Sequence, residues 1–183
     1  MSNKTKYFVI GSTLAAAISG GFFISEVSDE QVQATAAKEG FSAKPIIPVI
    51  GDVPTIGPGI TVYPNGQKVK MSDPPITRKQ GMELLKLHMN KDAPRFNATL
   101  KNVKLSQIEY DLYFDFTYQY GLGAWSQSSM LRNLKVGQYK HACESLLKWK
   151  FVAKRDCSIR SNGCYGVWTR QVARHDKCMG ANT

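Results

Sequence analysis

Residues 39–61 read EGFSAKPIIPVIGDVPTIGPGIT, and the rest of the chain is organised around them. The stretch opens on Glu39 beside Gly40, runs through turn formers, and closes on Thr55-Ile56-Gly57-Pro58-Gly59. Glycine after a periodic apolar segment is a helix stop, so Glu39 is expected on the last turn of a helix. The proline- and glycine-rich residues 44–76 exclude helix. They suit short strands near Thr55-Ile56, Thr61-Val62-Tyr63 and Lys68-Val69-Lys70, with Pro64-Asn65-Gly66 as a hairpin turn. A hairpin folding back over the helix end would bring Glu39, Asp52 and Thr55 to one cleft. A carboxylic acid, a second carboxylate and a hydroxyl around one groove are the set that glycosidic-bond hydrolysis uses.

Upstream, Ser28-x-x-Gln31 is a capping box for a helix from Val27 to Gly40, with Val32, Ala36 and Glu39 on one face. Downstream, Thr77-x-x-Gln80 and Ser106-x-x-Glu109 open two further helices. In the second, Ile108, Leu112, Phe116 and Tyr120 recur every fourth residue, which is a core stripe rather than a stacking platform. Gly121 and Gly123 are expected to end it. A helix from Ser126 or Ser128 to Gly137, an amphipathic helix over 138–150, a cysteine-pinned loop over 151–166 and a basic helix over 168–177 complete the chain. The fold class is α+β, a small β-hairpin lobe with a mainly helical lobe.

With 183 residues the chain can bury a sizeable core. Its net charge of +10 points to an anionic partner such as a cell wall or lipid surface. The basic residues are scattered and no nucleic-acid motif accompanies them, so a nucleic-acid partner is not expected. Cys143, Cys157, Cys164 and Cys178 lack CxxC spacing, which argues against zinc, and no metal or cofactor is expected. An even number behind an export-type N-terminus points to disulfides. Three connectivities are open, and Cys157–Cys164 with Cys143–Cys178 is the favoured one.

Residues 7–24, YFVIGSTLAAAISGGFFI, are uncharged and follow Lys4 and Lys6. The length is near the minimum for a bilayer span, and the lysines place the N-terminus in the cytoplasm. The run is rich in glycine, alanine and serine and so weak for a permanent anchor. A cleaved signal peptide with Ala17-Ile18-Ser19 at its cut site is the alternative to a releasable anchor. The expected organisation is an N-terminal segment over 1–26 and one catalytic domain over 27–183.

The ordered motifs resemble the phage-type lysozymes of glycoside hydrolase family 24 over about residues 34–179. That family opens with Glu-Gly, a carboxylate or cysteine, and Thr-Ile-Gly-x-Gly, matched by Glu39-Gly40, Asp52 and Thr55-Ile56-Gly57-Pro58-Gly59. Further matches are Ile76-Thr77 with Leu84-Leu85, and Leu105, Gln107, Tyr110 and Asp111. Gly121-Leu122-Gly123-Ala124-Trp125, Gly137-x-Tyr139-x-x-Ala142, Leu146-x-x-Trp149 and Gly166-Val167-x-x-Arg170 follow in order. The chain departs from the family at Pro48, where the second acid commonly sits. Asp52 is the one carboxylate between Glu39 and Asp73 and stands in for it. Ile60 and Thr61 replace a histidine, and Arg174 stands where many relatives have an acid.

The resemblance implies a lysozyme-like fold and hydrolysis of the β-1,4 bond between N-acetylmuramic acid and N-acetylglucosamine in peptidoglycan. Glu39 would be the general acid, partly buried at the helix–hairpin junction, with Asp52 and Thr55 stabilising the transition state and holding water. It also implies an endolysin tethered to the host inner membrane through 7–24, then released to the periplasm as a monomer. The missing acid at Pro48 leaves an alternative, a tethered peptidoglycan-binding protein without activity.

Overall fold

The computed structural model describes residues 6–9 and 23–183. In chain order its strands and helices are β1 (Tyr7–Val9), β2 (Phe23–Ile24), α1 (Asp29–Glu39), β3 (Ser42–Ile46), β4 (Thr55–Gly57), α2 (Arg78–Asn90) and α3 (Ala93–Thr99). There follow β5 (Lys104–Leu105), α4 (Gln107–Gln127), α5 (Ser129–Lys135), α6 (Tyr139–Ser145), β6 (Phe151–Val152), β7 (Arg155–Asp156) and α7 (Tyr165–Gly180). They divide into two compact units, Glu26–Pro94 and the described residues up to Ser25 together with Arg95–Thr183.

In the unit over Glu26–Pro94, Ser28 caps α1 by accepting from the Gln31 N–H at 3.1 Å. Thr77 and Gln80 close a reciprocal capping box on α2. Each such cap satisfies N–H groups that the first helical turn leaves without partners. The hairpin between the two helices is antiparallel β3–β4, with Ser42 opposite Gly57 and Ile46 opposite Thr55. Four steps on β3 face two on β4, so β3 bulges. The bulge accommodates Pro45, which has no N–H for a regular ladder. Strand β3 differs from the sequence expectation, which left these residues as turn. Val62 and Lys68 form an isolated bridge in place of two regular strands. Val27, Val32, Ile56, Ile60, Val69, Leu85 and Met89 are buried, and α2 packs on both α1 and β4.

In the other unit α4 is the central helix. Tyr110, Leu112, Tyr113, Phe114 and Phe116 are buried along it. Phe96 from α3 meets Tyr110 and Phe114 edge-on at 5.3 Å each, and Trp125 at 5.2 Å. The two polar handles in this cluster are satisfied: Trp125 Nε1 donates to Thr99 at 2.8 Å and Tyr110 donates to Asn97 at 2.8 Å. Gly121 breaks the helix, as expected. It takes φ 83°, bends the chain, and helical turns continue to Gln127. Ser128 then caps α5 through the Leu131 N–H. The disulfides are Cys143–Cys178 and Cys157–Cys164, the favoured pairing.

The apolar run 7–24 falls mainly on residues 10–22, which lie outside the described residues. Its described flanks are strands: β1 pairs parallel with β2 and antiparallel with β5. Lys6, just before β1, donates to Glu109 at 2.8 Å and to Asn182 at 2.7 Å, and sits over the Tyr139 ring. Among the described residues no helix is long and apolar enough to cross a membrane.

Candidate active site

The site is built within the unit Glu26–Pro94, from the end of α1 and the start of β4. Glu39 is the last residue of α1, and Gly40 turns the chain out of the helix at φ 73°. Phe41 follows, with the Arg78 guanidinium 4.9 Å from its ring centre and Gly81 of α2 against its edge. A Cβ at Gly81 would lie 2.7 Å from Phe41 Cε2 and 3.3 Å from Pro58 Cδ. Glycine within a helix costs stability relative to alanine, and this close approach is the reason for it here. Sequence reading passed over both Gly81 and Arg78. An isolated glycine inside the α2 pattern was the available signal.

Strand β4 delivers Thr55 and runs into the turn Gly57-Pro58-Gly59. Ile56 and Ile60 exchange backbone hydrogen bonds of 2.9 and 3.0 Å across that turn. Both its glycines are left-handed, at φ 61° and 80°, a region that side chains with a Cβ enter at a cost. A Cβ at Gly59 would lie 3.7 Å from Glu39 Oε2, so the carboxylate lies directly against the turn. The helix end and the Thr-Ile-Gly-Pro-Gly turn therefore meet, as the sequence implied. One expectation is corrected: Glu39 is exposed rather than partly buried. It projects from a helix terminus beside Gly59, which has no side chain to cover it.

Asp52 and Thr55 are gathered at the other end of the β3–β4 loop. Asp52 is exposed, and its Oδ1 accepts from the Val53 N–H at 2.8 Å, while its own N–H donates to Val49 at 3.0 Å. Thr55 donates to the Val53 carbonyl at 3.2 Å. Both side chains thus bond the backbone of Val53, and Thr55 stands opposite Ile46 in the hairpin register. A cavity of about 220 Å³ lies nearby, lined by Gln33, Ala36, Ala37, Gly40, Phe41, Pro58, Arg78 and Met82. Ala36, Ala37, Gly40, Phe41 and Pro58 in its walls are close to Glu39 or Gly59 in sequence, and Glu39 itself does not line it.

Residues 36–173 match the family described as phage lysozyme. A protein named SAR-endolysin from Escherichia phage 933W is 32% identical over 109 residues, 53% of this chain and 57% of that protein. The endolysin of Salmonella phage P22 is 35% identical over 104 residues, 56% of this chain and 68% of that one. A SAR-endolysin from Bacteriophage PS119 is 27% identical over 169 residues, 92% of this chain and 93% of that one. The chain spans a little over half the length of the 933W protein and of its counterpart in Enterobacteria phage VT2-Sa. Among solved structures, a P22 lysozyme mutant superposes with a TM-score of 0.65 at 24% identity, over 85% of this chain and 99% of that one. The muramidase domain of SpmX from Asticaccaulis excentricus gives a TM-score of 0.61 at 16% identity, over 85% of this chain and 98% of that one. These two establish the fold. The helix-end glutamate, the glycine turn laid against it and the match over residues 36–173 together place the chain in the phage lysozyme family.

Proposed function

We propose that the chain is a muramidase, a phage endolysin that hydrolyses the β-1,4 bond between N-acetylmuramic acid and N-acetylglucosamine of peptidoglycan from the periplasmic side. The observation that carries this reading is the Glu39 carboxylate held against Gly59 of the Thr55–Gly59 turn. An exposed carboxyl at a helix end is open to a long polymer, and Gly59 sets no side chain against it. Glu39 acts as general acid on the leaving glycosidic oxygen. Asp52 stabilises the oxocarbenium-like charge, and Thr55 orients water through its hydroxyl. No metal or cofactor is needed for this chemistry.

Residues 7–24 tether the protein to the inner membrane before release, after which it acts as a monomer. The hydrogen bonding of β1 to β5, and the bonds of Lys6 to Glu109 and Asn182, support a state in which this end has left the bilayer. The test of the enzymatic reading is muropeptide release from purified walls by the Glu39→Gln variant. Glu39 is exposed, so its substitution leaves the packing intact. General acids contribute roughly 100- to 10,000-fold, and a loss of that size is expected. Undiminished release would overturn the assignment of Glu39. Wall binding without any sugar-end release by the unmodified protein would indicate the non-catalytic alternative.

A further inference from the structure

The charge of the molecule is unevenly divided. Residues 26–94 carry eight acidic and eight basic side chains, so the whole net charge of +10 resides in the remainder. Its densest part is residues 148–160, which hold Lys148, Lys150, Lys154, Arg155 and Arg160 against the single acid Asp156. Asp156 is occupied inside the hairpin. It pairs with Lys150 at 2.7 Å and accepts from the Ser158 hydroxyl and N–H at 2.6 and 2.9 Å. Lys148, Lys154, Arg155 and Arg160 are exposed around it. Two apolar side chains stand among these cations, Phe151 at 54% and Ile159 at 51% exposure.

The local backbone carries this set around the end of a hairpin, with Phe151 and Arg155 on opposite faces of the ribbon and Lys154 at its tip. β6 and β7 pair with Phe151 opposite Asp156 and Val152 opposite Arg155, which leaves Ala153-Lys154 as the turn. Both turn residues are left-handed, at φ 47° and 65°. Tight hairpin turns of this kind favour glycine or asparagine, yet a lysine is kept at the apex. The base is clamped by the Cys157–Cys164 disulfide and by the Cys157 N–H bonding to Lys150 at 2.8 Å. Arg160 is directed by the Tyr165 ring, 4.0 Å beneath its guanidinium.

We infer that the hairpin over residues 148–160 is a docking surface for the phosphate-bearing face of an anionic phospholipid bilayer. The four exposed cations meet the lipid phosphates, and Phe151 and Ile159 enter the headgroup boundary, the usual division of labour at a membrane interface. An ordinary solvated basic face would intersperse acids rather than exposed apolar side chains. A single-stranded nucleic acid would call for several stacking rings, and Ile159 offers none. This surface lies outside residues 7–24 in sequence and does not depend on the hydrolytic reading.

The test uses the full chain with vesicles of phosphatidylglycerol and phosphatidylcholine in equal parts, against phosphatidylcholine alone. The apolar segment contributes to both, so the difference isolates the charge-dependent component. Each cation near an anionic surface is worth about a fivefold change in affinity, so Lys154→Gly with Arg155→Gln is expected to weaken anionic-vesicle binding roughly thirtyfold. Binding to phosphatidylcholine stays unchanged. Lys154→Gly relieves the turn, so the variant folds, and its near-ultraviolet circular dichroism confirms that. Lys68→Gln with Lys70→Gln removes the same charge from the neutral unit and is expected to leave vesicle binding within twofold. Equal losses from both pairs, no preference for anionic vesicles, or hairpin-dependent binding of RNA without vesicle binding would each overturn the proposal. Muropeptide release measured on the same preparations reports separately on hydrolysis.

Discussion

Replacing Asp115 by asparagine tests the internal electrostatics of the unit built around α4. Asp115 is buried, and its Oδ1 accepts from Arg170 Nη2 at 2.6 Å. Its Oδ2 accepts from Arg174 Nε at 2.9 Å, and its backbone carbonyl from Arg174 Nη2 at 3.0 Å. Arg174 also donates to Gln119 at 2.8 Å and is 4% exposed. Burial pulls the Arg174 guanidinium below its ordinary pKa and Asp115 pulls it back up. One carboxylate thus compensates two guanidiniums one turn apart on α7. Removing one partner of a buried pair costs about 3–5 kcal/mol, because the other charge is left uncompensated. At about 2–4 °C per kcal/mol for a chain of this size, Asp115→Asn is expected to lower Tm by roughly 6–20 °C. Arg174→Met should cost less, since Asp115 keeps Arg170. Asp115→Leu with Arg174→Met should recover at least ~2 kcal/mol relative to Asp115→Asn. Urea unfolding with a constant slope supplies the free energies. A loss under ~1 kcal/mol for Asp115→Asn, the worth of a surface pair, would refute the reasoning.

Two further outcomes follow from local geometry. The hydrogen bond from Lys150, and then those from Ser158, hold the Asp156 carboxyl at about 2 instead of its ordinary 3.8. A depressed folded-state value contributes stability that is present above pH ~4 and lost as pH falls through ~2. A Tm series over that window should therefore fall more steeply for the unmodified protein than for Asp156→Asn, and parallel curves would contradict it. Gly81→Ala places a Cβ 2.7 Å from Phe41 and 3.3 Å from Pro58. Overpacking of ~1–3 kcal/mol, less ~1 kcal/mol of helix propensity, gives a net cost of ~0–2 kcal/mol. Wall hydrolysis should nevertheless fall, because Phe41 and Pro58 adjoin Gly40 and Gly59; full activity would disprove that link.

What could be read from the sequence was set by local interactions. Ser28, Thr77, Ser106 and Ser128 all cap helices, because capping needs only a hydroxyl and N–H groups two or three residues on. The Thr-Ile-Gly-Pro-Gly turn was legible for the same reason, its glycines being required by backbone angles. Strand β3 was not, since Pro45 argues against a strand unless a bulge absorbs it, and the bulge depends on the partner β4. Gly121 was legible as a helix stop, its φ 83° and ψ 157° being non-helical, whereas the further helical segment to Gln127 was not. The exposure of Glu39 was equally hidden, since it depends on what the hairpin sets over the helix end. Arg174, conspicuous as a departure from the family pattern, is explained by Asp115 across the unit, 59 residues away in sequence.

The second acid is the point at which charge and conformation must be separated. The β3–β4 loop has little packing to hold it: Ile47, Val49, Ile50 and Val53 are 49%, 68%, 102% and 51% exposed. Its shape near the site is maintained by short-range bonds, among them the Val53 N–H to Asp52 Oδ1 and the Thr55 hydroxyl to the Val53 carbonyl. Asp52 therefore supplies both a negative charge and an acceptor that fixes the residue before Pro54, and deletion to alanine removes both. Asparagine keeps the acceptor oxygen and discards only the charge. If Asp52 stabilises developing positive charge in the sugar, Asp52→Asn should reduce wall hydrolysis as far as Asp52→Ala does. If Asp52 only shapes the loop that delivers Thr55, Asp52→Asn should retain the activity that Asp52→Ala loses, and the electrostatic role would be withdrawn.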